Sequence, residues 1–328
     1  MIEEEIRPAA IFDEYLRLAE IDSREYFDNA RRDRILCPAC GQHGELSFVK
    51  SGFAYELCGE CKTLFVSPRP EAAAFAKYYT EAPSSKYWAT TFYKRTAEAR
   101  REKLWKPKAR IVADLLARYS AAGQASSVID VGGGYGLFAE EFRTLTDRDP
   151  LIIEPGPHLA SACREKGLRV VEKFLEDVIP DELPEGSRSL VSFELFEHLH
   201  DPLRFLQAIV RLMSPGDLFI FTTLSGAGVD IQTLWEHSKS VSPPHHLNFF
   251  NPASIRRLLV RGGLESVEVT TPGKLDIDIM ANYRDRVKDR VWQTFLAIAT
   301  KEEMRAMQDI LAASGWSSHM MVVCRRPA

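Results

Sequence analysis

Residues 128–136 have the sequence VIDVGGGYG, an apolar run that ends in a cluster of glycines. The run at 128–131 predicts a buried strand, and the sequence from Leu137 onward predicts a helix. Gly132, Gly134 and Gly136 lie between the two elements, where missing side chains let a ligand approach the backbone and the amino end of the helix. The stretch therefore predicts a strand, a tight turn and a helix that together bind a ligand.

The glycine spacing differs from that of two common nucleotide-binding loops. Leu137 occupies the position at which the dinucleotide-binding fingerprint has its third glycine. A phosphate-binding loop needs a Gly-Lys-Ser/Thr sequence, which does not follow these glycines. The next predicted strand ends at Glu154, and a carboxylate at that place can accept hydrogen bonds from both hydroxyls of a ribose.

Short apolar segments alternate with helical segments through the rest of the chain, which is typical of a doubly wound, mainly parallel α/β sheet. We expect strands at 128–131, 151–154, 169–171, 190–193, 218–222, 265–270 and 319–324. Helices fit at 136–145, 157–166 and 202–213, with a helical insertion at about 276–313.

Four of the six cysteines form two C-x2-C pairs at the spacing of a metal-binding ribbon. Four thiolates complete the tetrahedron that Zn²⁺ prefers, so the pattern predicts a zinc ribbon over about 36–68. We expect the zinc to be structural, because such sites stabilise small units that lack a large core. A redox dithiol is the less favoured interpretation, since the pair occurs twice. The predicted zinc ligands are Cys37, Cys40, Cys58 and Cys61.

The length of 328 residues is about twice that of a usual single domain. We therefore predict a helical and zinc-ribbon unit at 1–105 and a cofactor-binding unit at 106–328. Inside the ribbon, a hairpin is expected over 46–57, with its turn at Ser51 and Gly52. Gly41 and Gly59 are expected to relieve the tight turn beside each cysteine pair.

The motifs, taken in order, resemble those of the class I S-adenosylmethionine-dependent methyltransferases. The stretch 130–136 resembles their first motif, and Ile153-Glu154 resembles their second. The stretches FELFEHLHDP at 193–202 and LMSPGDL at 212–218 resemble the branch that includes ubiquinone-biosynthesis O-methyltransferases, although Asp217 replaces a glycine of that branch. A zinc ribbon before such a core also resembles sugar C-methyltransferases. The resemblance implies a Rossmann-like, seven-stranded methyltransferase sheet and S-adenosylmethionine as cofactor.

The resemblance also implies roles for individual residues in the cofactor site. The glycines would surround the methionine part, Glu154 would hold the ribose, and Asp130 would order the loop and the amino group. Phe193 and Glu194 would lie near the sulfonium and the acceptor. The implied cofactor-binding residues are Asp130, Gly132, Gly134, Gly136, Glu154, Phe193 and Glu194.

Methyl transfer is an in-line displacement in which the protein aligns the acceptor and removes a proton from a hydroxyl or a carbon acid. Histidines in loops at strand ends suit that task, because their pKa lies near neutrality. His245 and His246 are candidates for the base or for an acceptor ligand, with loop packing as the alternative. Glu197 and His198 are further candidates, and for His198 a local hydrogen-bonded role is the alternative. His319 is a third possible base.

A mechanism of methyl transfer that uses a divalent metal ion is an alternative hypothesis. Small-RNA 2′-O-methyltransferases use a similar Glu-x-x-Glu-His sequence and a later histidine to hold a divalent ion. Glu194, Glu197, His198 and His246 would supply the same set for Mg²⁺. Many relatives without a metal keep the Glu-His pair, which disfavours this hypothesis.

The charge composition of the chain indicates which class of molecule accepts the methyl group. The 42 Lys and Arg against 46 Asp and Glu give a net charge of −4, and Lys50, Lys62 and Arg69 of the ribbon form no basic stripe, which disfavours nucleic acid. We predict methyl transfer to a small metabolite or a glycan or nucleotide-sugar precursor. The alternatives are an RNA-modifying methyltransferase whose ribbon binds the substrate, and a non-catalytic zinc-ribbon adaptor.

The sequence also bears on localisation. Its start is acidic, unlike a signal peptide, and no apolar run approaches the roughly 18 residues of a membrane span. We therefore expect a cytoplasmic protein that does not insert into a membrane.

Overall fold

The computed structural model describes residues 3–120 and 126–328. Helices dominate its amino-terminal part, and two π-helical segments, Trp88–Phe92 and Arg101–Trp105, join three of them into one continuous stretch. Phe12, Tyr15 and Phe92 form a small aromatic core between these helices. The helices are α1 (Glu3–Ile6), α2 (Ala9–Phe27), α3 (Ala72–Glu81), α4 (Pro83–Tyr87), α5 (Tyr93–Arg100) and α6 (Lys106–Tyr119).

The cysteine region folds as short antiparallel strands between α2 and α3. The predicted hairpin is confirmed, since its two strands pair antiparallel from Gly44 to Lys50 and turn at Ser51 and Gly52, which both have a positive φ. The strands are β1 (Arg32–Asp33), β2 (Gly44–Lys50), β3 (Phe53–Cys58), β4 (Leu64–Val66) and β5 (Arg69–Pro70).

A seven-stranded sheet forms the centre of the second part, and all seven predicted strands are confirmed. In chain order the strands are β6 (Ser127–Val131), β7 (Leu151–Ile153), β8 (Arg169–Val171), β9 (Arg188–Phe193), β10 (Leu218–Leu224), β11 (Asn248–Phe249), β12 (Glu265–Thr270) and β13 (His319–Arg325), with β11 outside this sheet. The spatial order is β12-β13-β10-β9-β6-β7-β8. The contacts from β10 to β8 are parallel, whereas β13 is antiparallel to both of its neighbours.

Helices cover both faces of this sheet. Val128 and Val191 pack with residues of α6 and of the helix after the glycines, while Ile129 packs on the opposite face. This alternation follows from the two-residue period of a strand. The predicted helical insertion is confirmed as three helices. The helices are α7 (Leu137–Thr146), α8 (Pro157–Glu165), α9 (Pro202–Leu212), α10 (Val229–Leu234), α11 (Pro252–Arg261), α12 (Asp276–Asn282), α13 (Arg290–Ile298) and α14 (Lys301–Ala313).

The two parts of the chain share one small sheet. Strand β11 follows the histidine pair and joins the ribbon as its edge strand, so that the order is β11-β4-β3-β2. Asn248 and Phe249 pair antiparallel with Phe65 and Leu64 of β4. The ribbon sheet therefore includes residues from the predicted cofactor-binding unit, and the division at residue 105 stays a prediction.

The helices in the described part of the chain include no candidate for a membrane-spanning segment. None of the helices within residues 3–120 and 126–328 is long and apolar enough to cross a bilayer.

Gly136, which directly precedes α7, provides a test of how tightly the turn is packed. Gly136 has a φ of 70°, and a Cβ there would lie 2.6 Å from Leu168 and 3.0 Å from the sulfur of Cys163. Gly167 has a φ of 71°, and a Cβ there would meet no atom within 4 Å. We expect Gly167→Ala to cost about 1–2 kcal/mol from backbone strain. Gly136→Ala should cost about 1–3 kcal/mol more, because it also overpacks the core.

Urea unfolding of the two variants measures this difference directly. Because the two glycines have nearly the same φ, Gly167→Ala is the matched control for strain. Equal losses in the free energy of unfolding would contradict the packing argument.

Candidate functional site

Three carboxylates lie at one edge of the sheet. Asp130 is near the end of β6, Glu154 directly follows β7, and Glu194 directly follows β9. These strands are neighbours and parallel, so their carboxyl ends meet at the same edge. The structure therefore brings together the acidic residues that the motifs single out, beside the glycine turn.

Glu154 joins the glycine turn to the loop after β7. Its Oε2 accepts a hydrogen bond from the backbone N–H of Gly134 at 3.0 Å, and its Oε1 accepts one from Gly156 at 2.8 Å. Burial raises the pKa of this carboxyl, and the two N–H groups act against the rise. Each oxygen keeps a second lone pair, which is the acceptor set that two ribose hydroxyls require.

Asp130 is a buried carboxyl below the same turn. It is 1% exposed, and its Oδ2 has no hydrogen-bond partner among the described residues. Burial and the charge of Glu154 raise the pKa of Asp130 to about 7. The turn above it has positive φ values at Gly132 and Gly134, which only glycine adopts without strain. Acceptor oxygens, open backbone and a helix amino end fit the ribose and methionine parts of S-adenosylmethionine.

Glu194 is held by groups from three other elements. Its Oε1 accepts hydrogen bonds from Thr222 at 2.6 Å and from Lys108 at 3.2 Å, and His319 Nδ1 lies 3.5 Å away. Burial raises the pKa of Glu194, but His319 and Lys108 outweigh it and hold the pKa below its usual value. The residue has a φ of 53°, a strained conformation of the kind that clusters at functional sites.

The motifs do not indicate Lys108, and Phe193 makes core contacts in addition to its predicted role. Lys108 is buried on α6 and is absent from every motif, so only the fold brings it to Glu194. Phe193 packs against Phe138, with ring centroids 4.5 Å apart, and against Trp105 in the core. Its predicted contact with the cofactor stays a prediction.

Glu197, His198 and His246 form a second group, which we call the Glu-His cluster. One ligand atom from each of the three lies within 4.8 Å of the others. Thr223 donates a hydrogen bond to Glu197 Oε2 at 2.7 Å, and the rings of His198 and His246 are 4.8 Å apart. The structure thus brings together three of the four predicted catalytic residues.

The hydrogen bonds of the two adjacent histidines differ. His246 Nδ1 lies 2.6 Å from the carbonyl oxygen of Ser240. A carbonyl only accepts, so Nδ1 carries the proton and Nε2 keeps an acceptor lone pair. His245 instead uses Nε2 in a 2.6 Å hydrogen bond with the Tyr78 hydroxyl and is 7% exposed. Of the pair, His246 is the better placed to take a proton.

Burial controls the charge of the Glu-His cluster. It lowers the pKa of His198 to about 4 and that of His246 to about 3. Burial, together with the charge of Glu194, raises the pKa of Glu197 to about 8. Both imidazoles are therefore neutral at neutral pH, which is the form that accepts a proton or binds a metal, and the same burial makes them weaker bases than the near-neutral pKa of an ordinary histidine implies.

The four ribbon cysteines converge at one point. The Cys37 and Cys61 sulfurs are 3.5 Å apart, as are those of Cys40 and Cys58, and all four lie within 4.8 Å of one another. Disulfide sulfurs would be about 2 Å apart. Tetrahedral Zn²⁺ with bonds of about 2.3 Å puts its sulfurs roughly 3.8 Å apart. The spacing fits a zinc site and excludes disulfides within it.

The sequence prediction is wrong about one residue of the ribbon turns, Gly59. In each turn the first cysteine carbonyl accepts from the residue four positions later, Gly41 at 2.8 Å and Lys62 at 3.0 Å. Those two residues have φ values of 74° and 59°. The strained residue of the second turn is therefore Lys62 and not Gly59.

The comparison with protein families identifies the sheet-bearing part. Residues 100–269 match the methyltransferase domain family. The chain belongs to this family. The predicted class I S-adenosylmethionine-dependent methyltransferase fold is thereby confirmed, together with a four-cysteine cluster ahead of it.

Curated relatives are distant. The chain is 31% identical over 114 residues to the ubiquinone biosynthesis O-methyltransferase of Methylococcus capsulatus, covering 33% of this chain and 47% of that protein. It is 27% identical over 198 residues to the enzyme of the same name from Xanthomonas oryzae pv. oryzae, covering 56% and 79%. The chain thus spans about half the length of the Methylococcus relative.

Solved structures share the fold. The putative methyltransferase complexed with the Trm112 methyltransferase activator of Haloferax volcanii is similar with a TM-score of 0.50 and 18% identity, covering 74% of this chain and 96% of that one. The plantazolicin methyltransferase BamL, solved in complex with a triazolic desmethylPZN analog and SAH, has a TM-score of 0.50 at 11% identity, covering 77% of this chain and 95% of that one.

The cysteine geometry predicts the metal content. We expect the purified protein to hold about one zinc ion per chain, and Cys58→Ser to lose most of it because one ligand of a closed site is missing. Cys163→Ser is the control, since Cys163 is buried beside the glycine turn and away from the ribbon. Mass spectrometry of metals in the two variants checks this. Unchanged zinc in Cys58→Ser would contradict the assignment.

Proposed function

We propose that the protein transfers the methyl group of S-adenosylmethionine to oxygen or carbon of a small metabolite or a glycan or nucleotide-sugar precursor. The observation that carries the proposal is the row of carboxylates at one sheet edge, with Glu154 hydrogen-bonded to the glycine turn. When bound, S-adenosylmethionine supplies an electrophilic methyl group on a sulfonium. No covalent intermediate with the protein is needed, so alignment and proton removal are the tasks left to this chain.

The cofactor side of the proposal assigns one role to each polar group. Glu154 accepts the ribose hydroxyls, and the open backbone at Gly132 and Gly134 accommodates the methionine part. Glu194 is held in its ionised form by the Lys108 ammonium and the Thr222 hydroxyl, and a fixed negative charge beside a sulfonium favours cofactor binding. Asp130 orders the turn from below.

The acceptor side of the proposal rests on the Glu-His cluster. His246 Nε2 takes the proton from the acceptor hydroxyl or carbon acid, while the Ser240 carbonyl holds Nδ1–H and so fixes the ring. Glu197 is protonated near neutral pH and donates a hydrogen bond to the acceptor molecule. His198 lies beside His246 and accepts or donates a further hydrogen bond. His245 supports the loop through Tyr78.

The ribbon's basic residues favour a small acceptor over RNA. Arg69 is 1% exposed, and the Lys50 ammonium donates to the Ser238 carbonyl at 2.8 Å within the chain. Of these two and Lys62, only Lys62 lies in an exposed setting. Two of the three cations are thus directed inward, where they cannot contact phosphates. The names of the curated relatives, which are O-methyltransferases of ubiquinone biosynthesis, also favour a small molecule.

A second candidate is the metal-assisted form of the same reaction. The Glu-His cluster offers one carboxylate oxygen and two imidazole nitrogens within 4.8 Å of one another. Such a mixed set suits Mn²⁺, Fe²⁺ or Zn²⁺ better than Mg²⁺, which prefers oxygen ligands and water. His246 Nε2 would then bind the ion instead of taking the proton. The non-catalytic adaptor is disfavoured, because the contacts of Glu154 with the glycine turn are intact.

The cofactor assignment predicts the effect of one substitution. We expect Glu154→Ala to weaken S-adenosylmethionine binding about tenfold to a hundredfold, because two charge-assisted hydrogen bonds are lost. Glu185→Ala removes an exposed carboxylate and is the control. Isothermal titration calorimetry measures both. Unchanged affinity in Glu154→Ala would contradict the ribose site.

The acceptor assignment predicts a difference between the two adjacent histidines. With radiolabelled S-adenosylmethionine, we expect label to enter pools of small phenols and nucleotide sugars but not RNA. His246→Gln should lower the rate about 10²- to 10⁴-fold through loss of the base. His245→Gln should lower it less, and both variants should bind the cofactor normally.

A chelator separates the two roles of His246. Activity that survives the chelator, while the ribbon keeps its zinc, agrees with His246 as the base. Activity that is lost and then restored by Mn²⁺ would contradict that role and support the metal-assisted form. Label in RNA alone would overturn the proposed acceptor class.

A further inference from the structure

A buried guanidinium connects the ribbon to both segments of the Glu-His cluster. Arg69 is 1% exposed, although it carries a charge. Its Nη1 donates to the His200 carbonyl at 2.5 Å, and its Nη2 donates to Asn248 Oδ1 at 2.8 Å. Longer contacts of 3.4 Å reach the carbonyls of Val66, Leu199 and Leu247. One side chain of the ribbon region therefore reaches the segment after Glu197 and His198 and the segment after His246.

The chemistry of arginine makes this contact specific. Burial lowers the pKa of Arg69 to about 10, so the group remains charged at neutral pH. A planar fork of N–H groups can reach several carbonyl oxygens in fixed directions, which a lysine ammonium cannot reproduce. A buried charge whose N–H groups lose their acceptors is costly, so both cluster segments are constrained to stay against Arg69.

The backbone of the histidine loop is held by the ribbon strands as well. The Leu247 carbonyl accepts from the Val66 N–H at 2.9 Å, while the Leu247 N–H donates to the Glu197 carbonyl at 2.7 Å. The Tyr55 hydroxyl donates to the His246 carbonyl at 2.7 Å. His246 therefore lies between hydrogen bonds that run to the ribbon on one side and to Glu197 on the other.

Contacts at both ends of the loop complete the connection. The Lys50 ammonium donates to the Ser238 carbonyl at 2.8 Å, and the Asn251 amide donates to the Cys61 carbonyl at 2.8 Å. Cys61 is one of the four clustered cysteines. The loop from 238 to 251 is thus attached to the ribbon at its start, at its centre and at its end.

From these contacts we infer that the ribbon is a positioning element of the acceptor site, in which Arg69 and Tyr55 hold the backbone that carries His246 in place relative to Glu197 and His198, so that its ring stays within reach of the Ser240 carbonyl. The ribbon's role in catalysis rests on the proposed function, whereas its positioning of the Glu-His cluster does not. Arg69 and Tyr55 are positioning residues, because each acts through the segments that carry the cluster. The glycine turn is held separately, by Glu154 and by the Lys166 ammonium on the Tyr135 carbonyl.

Two conservative variants test the inference. Arg69→Lys keeps the charge and removes the fork, and Tyr55→Phe removes only the hydrogen bond to His246. Glu45→Gln, at an exposed position of β2 in the ribbon, is the matched control. Hydrogen exchange followed by mass spectrometry reports on residues 196–201 and 238–251, and 130–137 is the internal reference. Nitrogen NMR of labelled histidines reports the tautomer of His246.

We expect roughly tenfold faster exchange in both cluster segments of Arg69→Lys and in residues 238–251 of Tyr55→Phe, because hydrogen bonds that hold those segments are lost. The His246 tautomer should become mixed, a change that a general loss of stability would not produce. Exchange at 130–137 and the affinity for S-adenosylmethionine should stay within about twofold of the parent protein.

Unchanged exchange and an unchanged tautomer in folded Arg69→Lys or Tyr55→Phe would overturn the inference. If Arg69→Lys does not fold by circular dichroism, Tyr55→Phe alone decides the outcome in either direction. Failure of the parent protein to bind S-adenosylmethionine would overturn the proposed function and leave the exchange result intact, so the two failures are distinguishable.

Discussion

The backbone of Leu247 is hydrogen-bonded to both halves of the chain, and the position of the Glu-His cluster depends on that arrangement. Its carbonyl accepts from β4 of the ribbon, and its N–H donates to the carbonyl of Glu197 beside the parallel sheet. Because a backbone unit has one donor and one acceptor, the ribbon and the sheet cannot move apart without leaving a buried group unpaired. The ribbon is therefore joined to the catalytic sheet and is not a separate module on a linker.

The pKa values of the site residues depend on how these residues are packed at the sheet edge. Packing at the sheet edge limits the contact of Glu194, Glu197 and the histidines with water, and the pKa of each group responds to its neighbours. The Lys108 ammonium and the Thr222 hydroxyl help to lower the pKa of Glu194, whereas burial and the charge of Glu194 raise the pKa of Glu197. Two carboxyls three residues apart thus have pKa values shifted in opposite directions, which is the arrangement that the proposed roles in cofactor charge pairing and acceptor hydrogen bonding require.

The sequence predicts features whose chemistry is local. The glycine turn, the cysteine pairs, the seven strands and the Glu-x-x-Glu-His stretch follow from spacing within short segments, and the structure agrees with each of them. Lys108 and Arg69 could not be found in this way, because their partners lie 86 and about 130 to 180 residues away. Their burial is set by tertiary packing, which no local pattern encodes. The choice of His246 over His245 likewise depends on contacts that only the fold reveals, with Ser240 six residues away and with Tyr78 167 residues away.

The most direct test of the account is a crystal structure of the protein with S-adenosylhomocysteine. The account predicts that both ribose hydroxyls lie about 3 Å from the oxygens of Glu154. It also predicts that the sulfur faces the space bounded by Glu194 and the Glu-His cluster, with His246 Nε2 directed into it. A ligand whose ribose does not contact Glu154, or whose sulfur faces away from His246, would contradict the assignment of this sheet edge as a methyl-transfer site.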